Sequence, residues 1–167
     1  MGLIKWIFSF GESYRREQQK YHKESRGSKI VGLVISAIFT ALGLVLEHFA
    51  LATFATNIGW GLLLSIFSVA VICSMAKMNG MYSLIAFRNT VYSAMINKAN
   101  DKFNQFTAQM TAEPGEVVVT EISEEEKTAR NNSRVFDIIA GFIYAIMAIG
   151  VVVGAIIMLI SAIMPAG

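Results

Sequence analysis

Two long apolar stretches that contain no lysine or arginine, residues 30–76 and 135–167, dominate the pattern of this chain. A membrane-spanning helix needs about 20 apolar residues, so the first stretch is long enough for two spans joined by a tight turn. We place that turn at residues 55–59, where Asn57 and Gly59 favour a chain reversal. The second stretch supplies a third span, from near Val135 to about Met164. The pattern predicts an all-α integral membrane protein with three transmembrane helices.

The residues between the second and third spans show a different, amphipathic pattern. Apolar positions recur there at steps of three, four and seven, which is typical of one face of a helix. The apolar face comprises Tyr82, Ile85, Tyr92, Ile96, Ala99, Phe103 and Phe106. Either Asn79 and Gly80 separate this helix from the second span, or one long helix runs through. The face requires a cover: the membrane surface, the N-terminal helix or another subunit.

Local signals predict the remaining elements. Residues 12–26 are rich in Arg, Glu, Gln and Lys and predict a helix, with Ser28 as the N-cap of the first span. Residues 113–116 predict a turn, and residues 117–120 a short strand. Ser123 followed by Glu126 fits a capping box, so we expect a helix to begin there and lead into the third span.

The cations set the expected orientation. All 14 Lys and Arg residues lie in residues 1–29 and 77–134, and such residues are retained on the cytoplasmic side of membrane proteins. The chain therefore divides into a cytoplasmic basic segment (1–29), a transmembrane hairpin (30–76), a cytoplasmic helical region (77–134) and a third span with an external tail (135–167). Cys73 is the single cysteine, which excludes an intrachain disulfide. We expect a bacterial cytoplasmic (inner) membrane, with an organelle membrane as the alternative, and we expect the N-terminus to be cytoplasmic and the C-terminus external.

Small and polar residues form a stripe on the first two spans. They recur at steps of three and four, so each set lies on one helix face. The set comprises Gly32, Ser36, Thr40, Gly43 and Glu47 on the first span, and Gly61, Ser65 and Ser68 on the second. Such faces usually pack helices together. The alternative is that Ser36, Thr40 and Glu47, faced by Ser65 and Ser68, line a polar path.

The third span carries small residues that predict helix–helix contact. These are Gly141, Ala145, Gly150 and Gly154. Gly150 and Gly154 form a G-x-x-x-G pair, a spacing that lets two helix backbones approach closely.

Two acidic residues adjoin the spans. We expect Glu47 to end the first span as a hydrated acid at the external interface, with a cation-attracting mouth or a pH-responsive pair with His48 as alternatives. We expect Asp137 to pair with Arg134 or to act as an acid at a helix N-terminus. An inter-subunit contact or an ion path is the alternative for Asp137.

The N-terminal segment combines an apolar patch with a run of cations. An interfacial helix with such cations predicts contact with anionic lipid head groups. The cations are Lys5, Arg15, Arg16, Lys20, Lys23, Arg26 and Lys29.

The sequence contains no recognisable catalytic or ligand-binding motif. It lacks a glycine-rich phosphate loop, a His/Glu metal spacing and a nucleophile with a plausible base. We therefore expect no enzymatic activity, no metal and no cofactor, and a net charge of +2 gives no reason to expect nucleic acid. The leading hypothesis is a non-catalytic subunit of a larger membrane assembly, partnered by other membrane proteins or copies of itself. A homo-oligomeric channel or pore and a membrane-embedded inhibitor or immunity-type factor are the alternatives.

Overall fold

The computed structural model describes residues 10–111 and 123–164. These residues form four helices and no strand: α1 (Phe10–Lys23), α2 (Arg26–Thr56), α3 (Ile58–Thr111) and α4 (Glu124–Ile163). Helices α2, α3 and α4 are each long and apolar enough to cross a membrane, which confirms the predicted number of candidate spans. The turn predicted at residues 113–116 and the strand predicted at 117–120 lie outside the described residues.

A single residue, Asn57, reverses the chain between α2 and α3. Its backbone N–H bonds to the carbonyl oxygen of Thr53 and closes α2, while its side-chain oxygen accepts from the Trp60 N–H at 3.2 Å and caps α3. Gly61 makes the tight return possible, since a Cβ there would lie 2.4 Å from the Cα of Phe54. The predicted turn region is therefore confirmed.

Helix α3 is one continuous helix of 54 residues, about 80 Å long. Asn79 and Gly80 do not interrupt it, so of the two alternatives the uninterrupted helix is correct. The hydrocarbon core of a bilayer is about 30 Å thick, and α3 therefore extends well beyond any one crossing. Its later half, together with the start of α4, forms an extension of the bundle.

The helix starts agree with one predicted cap and correct the other. The side chain of Ser123 accepts from the Glu126 N–H at 3.2 Å, as the capping box predicts. Helix α2, however, begins at Arg26 with Ser25 as its N-cap, and Ser28 only donates its N–H to the Ser25 hydroxyl. Ser28 lies inside the first turn of α2, because only Glu24 and Ser25 separate α1 from α2.

Helix α3 packs against all three other helices, and α2 also packs against α4. The α2–α3 hairpin keeps a constant antiparallel register: Ser36 meets Asn79 and Glu47 meets Ser68. Helix α4 runs parallel to α2, with Asp137 beside Lys29 and Gly154 beside Leu44. Residues 30–76 contain no cation, so we call the end of the bundle opposite Asn57 the cation-rich end.

Helix α1 packs on α3 at this cation-rich end. Tyr21 is buried against Met81, Ile85 and Ala86, with Tyr14 and Tyr82 at the edge of the cluster. The first part of the predicted apolar face, at Tyr82 and Ile85, is thus covered by the N-terminal helix. In its later part Ile96 is half-buried, and the other residues, Tyr92, Ala99, Phe103 and Phe106, are exposed.

Candidate functional site

Asp137 is the centre of a buried polar cluster at the cation-rich end. Its Oδ1 lies 3.0 Å from the Lys29 Nζ and accepts a hydrogen bond from the Tyr21 hydroxyl at 3.0 Å. Its Oδ2 accepts from the Asn89 side-chain amide at 2.6 Å. Asp137 is 2% exposed and Lys29 is 9% exposed. Oδ1 therefore has one charged and one neutral donor, and Oδ2 has one neutral donor. Donors to both oxygens make a buried carboxylate tolerable.

The cluster takes at least one residue from each helix. Tyr21 and His22 come from α1, Lys29 from α2, Asn89 from α3 and Asp137 from α4. Because the Asn89 amide nitrogen donates to Asp137, its oxygen faces His22 and accepts from Nδ1 at 2.9 Å. The Lys29 ammonium also lies 4.1 Å from the centre of the Tyr21 ring. These contacts fix α1 onto the three long helices.

The phenol of Tyr21 stays protonated at this position. Burial raises the pKa of Tyr21 above its ordinary value, and the charge of Asp137 raises this pKa further. The neutral hydroxyl is the form that donates to the carboxylate, so burial and hydrogen bonding support the same state.

These contacts correct the expectation for Asp137 and give Lys29 a partner that the sequence did not indicate. Asp137 does not pair with Arg134 and is not at a helix N-terminus: it lies well inside α4, and its cation is Lys29. Lys29 was grouped with the head-group cations, and its side chain is 9% exposed, bonds to Asp137 and lines a cavity between the helices. The reason is that the start of α2 and the middle of α4 lie side by side, a juxtaposition that local spacing does not encode.

A second polar group lies deeper in the bundle, around Asn79. The Ser36 hydroxyl donates to the Asn79 side-chain oxygen, and the Asn79 amide donates to the Thr40 hydroxyl at 2.9 Å. Thr40 in turn donates to the Ser36 carbonyl oxygen at 2.8 Å. All three side chains are buried. The predicted stripe residues Ser36 and Thr40 thus bond to α3 of their own chain and form a closed ring of hydrogen bonds.

Glu47 occupies a third polar position, nearer the Asn57 turn. It is 5% exposed, and its Oε2 accepts from the Ser68 hydroxyl. Ser68 also contacts the carbonyl oxygen of half-buried Ser65 at 3.1 Å. In the described part of the chain, no cation lies within ion-pair distance of Glu47.

The position of Glu47 overturns its predicted role as the acid that ends the first span. Helix α2 continues for nine residues beyond it to Thr56, which is about 14 Å of helix. Glu47 therefore lies inside the helix pair and not at its tip. His48 points outward and contacts the ring of Phe49, so the structure does not bring Glu47 and His48 together as a buried pair.

Two glycines of the α2–α3 stripe have different surroundings. Gly43 is buried, and a Cβ there would lie 3.4 Å from a methyl group of Val71, in ordinary contact. Gly32 is exposed and would place a Cβ 3.8 Å from the hydroxyl oxygen of Tyr144. Gly43 therefore belongs to the packed face, whereas Gly32 borders open space.

On α4, Gly141 and Gly154 pack tightly, and Gly150 does not. A Cβ at Gly141 would lie 3.1 Å from the Phe87 ring, and one at Gly154 would lie 3.1 Å from Leu44. A Cβ at Gly150 would meet no described atom within 4 Å. Within the described residues the G-x-x-x-G pair therefore does not act as one contact, because only Gly154 meets a neighbouring helix. Ala145 is half-buried between these contacts.

The remaining predicted head-group cations are exposed on α1 and at the start of α2. They are Arg15, Arg16, Lys20, Lys23 and Arg26. Lys5 lies outside the described residues. The exposed side chains are available to solvent or to a membrane surface.

Asn79 and Asn89 were missed by the sequence reasoning, although a signal existed. The buried face of α3 continues past Ser68 through Ile72, Asn79, Ala86 and Asn89 at helical steps. Extending the small-and-polar stripe along the whole of α3 would have found both asparagines. Tyr21 could not have been found in this way, because its contacts come from helix packing.

The described residues contain no group of three His, Cys, Asp or Glu side chains that could hold a metal ion. The chain matches no family model, no curated protein and no solved structure. The functional argument therefore depends on the arrangement of the residues themselves.

Proposed function

We propose that this protein is a non-catalytic multi-pass subunit of a larger membrane assembly, and that the extension of its bundle binds a helix of another subunit. The cation-rich end lies on the cytoplasmic side of a bacterial inner membrane in this proposal. The observation that carries it is an apolar surface on α3 that its own described chain leaves uncovered.

This surface, the extension stripe, follows one face of α3 at steps of three and four. It comprises Tyr92, Met95, Ala99, Phe103, Phe106 and Met110. Met95 is 67% exposed, Phe103 68%, Phe106 58% and Met110 72%. A contiguous row of large apolar side chains of this kind marks an interaction site.

The neighbours of the extension stripe are charged, which distinguishes it from the lipid-facing surfaces of the spans. Lys98 and Lys102 are exposed beside it, and Asp101 is paired with Arg130 on the adjoining α4. Charged side chains of this density favour a position in water or at an interface, not in hydrocarbon. We therefore expect the partner to offer an apolar helix face flanked by acidic residues, because these would meet Lys98 and Lys102.

The stripe of small and polar residues on the first two spans also favours a subunit over a pore. Ser36, Thr40 and Glu47 face the interior of their own chain and bond to Asn79 and Ser68. A pore built from identical copies would need such side chains to face a shared axis. In the present arrangement they are used within one chain, which favours a subunit over a pore that these residues line.

The experiment is native mass spectrometry of the tagged protein after gentle extraction from its own membrane. We expect a fixed ratio with a second protein, and loss of that complex in the double variant Phe103→Ser/Phe106→Ser. Asn104→Ser is the matched control, since Asn104 is exposed on the same helix but outside the extension stripe. A photo-crosslinking amino acid at position 103 should label the same partner.

Two results would contradict the proposal. One is a lone monomer recovered from native membranes. The other is an equal amount of complex with the double variant and with Asn104→Ser, because the extension stripe would then not be the contact.

A homo-oligomeric channel remains the second candidate because of Glu47. A carboxylate buried inside a helix pair, with no cation of the described residues within ion-pair distance, is expensive in a membrane and is often functional. If this candidate is right, the wild-type protein conducts cations in planar bilayers and Glu47→Gln reduces the current. Bilayers that stay silent with the wild-type protein would exclude it.

A further inference from the structure

A cavity of 420 Å³ lies between α1, α2, α3 and α4 at the cation-rich end. Its size falls within the range of roughly 300–1,000 Å³ that small-molecule sites occupy. The cavity lies apart from the extension stripe, and none of the stripe residues lines it. A ligand in the cavity would therefore not touch the proposed partner contact.

The lining changes from charged to apolar along the bundle. Lys20, Glu24 and Ser28 line the end nearest α1. Deeper along α2 and α3 the lining becomes apolar, with Ile35, Phe39, Met75 and Met78. This gradient matches an amphiphile whose polar head lies at the cation-rich end and whose chain points toward the turn at Asn57.

The described residues supply no acceptor for the Tyr144 hydroxyl. The residue is 3% exposed, lines the cavity, and makes no hydrogen bond within residues 10–111 and 123–164. Tyr21 and Tyr82, by contrast, donate to Asp137 and Glu17. The Tyr144 hydroxyl lies beside the cavity-lining Gly32, 3.8 Å from where a Cβ would stand. No fully buried side-chain nitrogen or oxygen of the described residues lacks a partner, so the unpartnered Tyr144 hydroxyl is open to the cavity and can donate to a ligand there.

The charges at the polar end favour a head group that carries both signs. The Lys29 ammonium has three donors, and its contact with Asp137 leaves others for a ligand oxygen. Lys20 adds a second cation, 3.8 Å from the Glu24 carboxylate. A phosphate could accept from the two lysines and Tyr144, while Glu24 could accept from an amine. Basic pockets between membrane helices bind lipid head groups in this manner.

We propose that this cavity binds the head group of one phosphatidylethanolamine molecule, with Tyr144 and Lys29 donating to its phosphate and an acyl chain along Ile35 and Phe39. Gly32 keeps the space beside the Tyr144 hydroxyl open for this ligand.

Native mass spectrometry of the full chain in a phosphate-free detergent tests this binding. Phosphatidylethanolamine, diacylglycerol with the same acyl chains, and inorganic phosphate are each added at equal concentration. We expect one phosphatidylethanolamine per chain, and at least tenfold weaker retention of the other two probes. Equal retention of diacylglycerol would overturn the proposal, because the phosphate would then contribute nothing. Equal retention of inorganic phosphate would overturn the assignment to a lipid.

Two variants locate the binding in the cavity. Tyr144→Phe removes only the hydroxyl, and we expect it to weaken phosphatidylethanolamine binding about tenfold, as the loss of a hydrogen bond to a charged group does. Ser161→Ala is the matched control, since it removes an exposed hydroxyl from the same helix at a residue outside the cavity. Gly32→Leu fills the space while keeping Tyr144, and should also reduce binding. Wild-type retention by both Tyr144→Phe and Gly32→Leu would overturn the proposal.

Discussion

The bundle and its extension both use an aspartate–cation pair between helices, but the two pairs differ in burial. In the bundle, Asp137 and Lys29 are 2% and 9% exposed and lie 3.0 Å apart. In the extension, Arg130 bonds to both oxygens of Asp101 at 2.9 and 3.0 Å, and about a quarter of each side chain is exposed. The distances are nearly equal, so geometry alone would rank the pairs together. Burial separates them, because an unpaired charge is costly only where water cannot reach it.

The two regions also place their apolar side chains differently. In the bundle, polar groups face inward and large apolar residues such as Ile38 and Phe142 face outward, as a hydrocarbon environment requires. In the extension, apolar residues such as Phe103 also face outward, but among charged neighbours. Lipid would suffice to cover the apolar surface of the bundle, whereas the described residues leave the apolar face of the extension uncovered among charged neighbours.

Replacing Asp137 should give the largest loss of stability. Asp137→Asn keeps the shape but leaves the Lys29 ammonium buried without its counter-charge. We expect the free energy of unfolding to fall by about 3–5 kcal/mol, the usual cost of breaking a buried ion pair by removing one partner. The measurement is an SDS titration of the protein in mild detergent micelles, followed by loss of helical circular dichroism.

Two controls sharpen the prediction for Asp137. Arg134→Gln removes the cation that the sequence pairs with Asp137, and we expect no measurable change, since Asp137 bonds to Lys29. Lys29→Met/Asp137→Leu removes both charges, and should recover much of the loss. If Arg134→Gln were as harmful as Asp137→Asn, the pairing seen in the structure would be wrong.

The Asn79 ring should give an intermediate effect. Asn79→Ala removes an acceptor for Ser36 and a donor to Thr40, but it strands no charge. Hydrogen bonds between membrane helices contribute about 0.6–2 kcal/mol each, so we expect a loss of about 1–3 kcal/mol in the same titration. Asn104→Ala is the matched control on the same helix, where the side chain is exposed. Equal losses for the two variants would show that the ring is not formed.

The spans were predictable from the sequence because the features that define them can be read along the chain without knowledge of its packing. Apolar length and the absence of cations locate three helices, and Asn57 falls in the predicted turn region, since its chemistry suits a reversal. Local caps are similarly readable, as Ser123 shows. Ser25 was missed because several residues nearby are adequate caps and only the course of the chain decides among them.

The contents of the polar cluster were not predictable in the same way. Asp137 and Lys29 are more than 100 positions apart, and each has a plausible local explanation, Arg134 for one and the positive-inside rule for the other. Their pairing follows from the parallel packing of α2 and α4, which the sequence does not specify. Ser36 and Thr40 were found because helical periodicity places them on one face, but their partner Asn79 was seen only as a potential helix break.

The Asp101–Arg130 pair should give the smallest effect, and this tests whether burial is the variable that matters. Asp101→Asn removes a charge from an ion pair whose distances, 2.9 and 3.0 Å, nearly equal the 3.0 Å of the pair in the bundle. Arg130 keeps a second acid, Glu126, at 2.6 Å, and water can solvate what remains. We therefore expect the SDS midpoint to stay within error of the wild-type value. Raising the salt concentration should reduce any remaining contribution of the ion pair to stability.

A loss of stability in Asp101→Asn that approached that of Asp137→Asn would mean that the extension excludes water, as it would if a partner or another part of the chain covered it. Repeating the measurement with Phe103→Ser/Phe106→Ser would distinguish these cases, because a cover that depends on the extension stripe would be lost together with the effect.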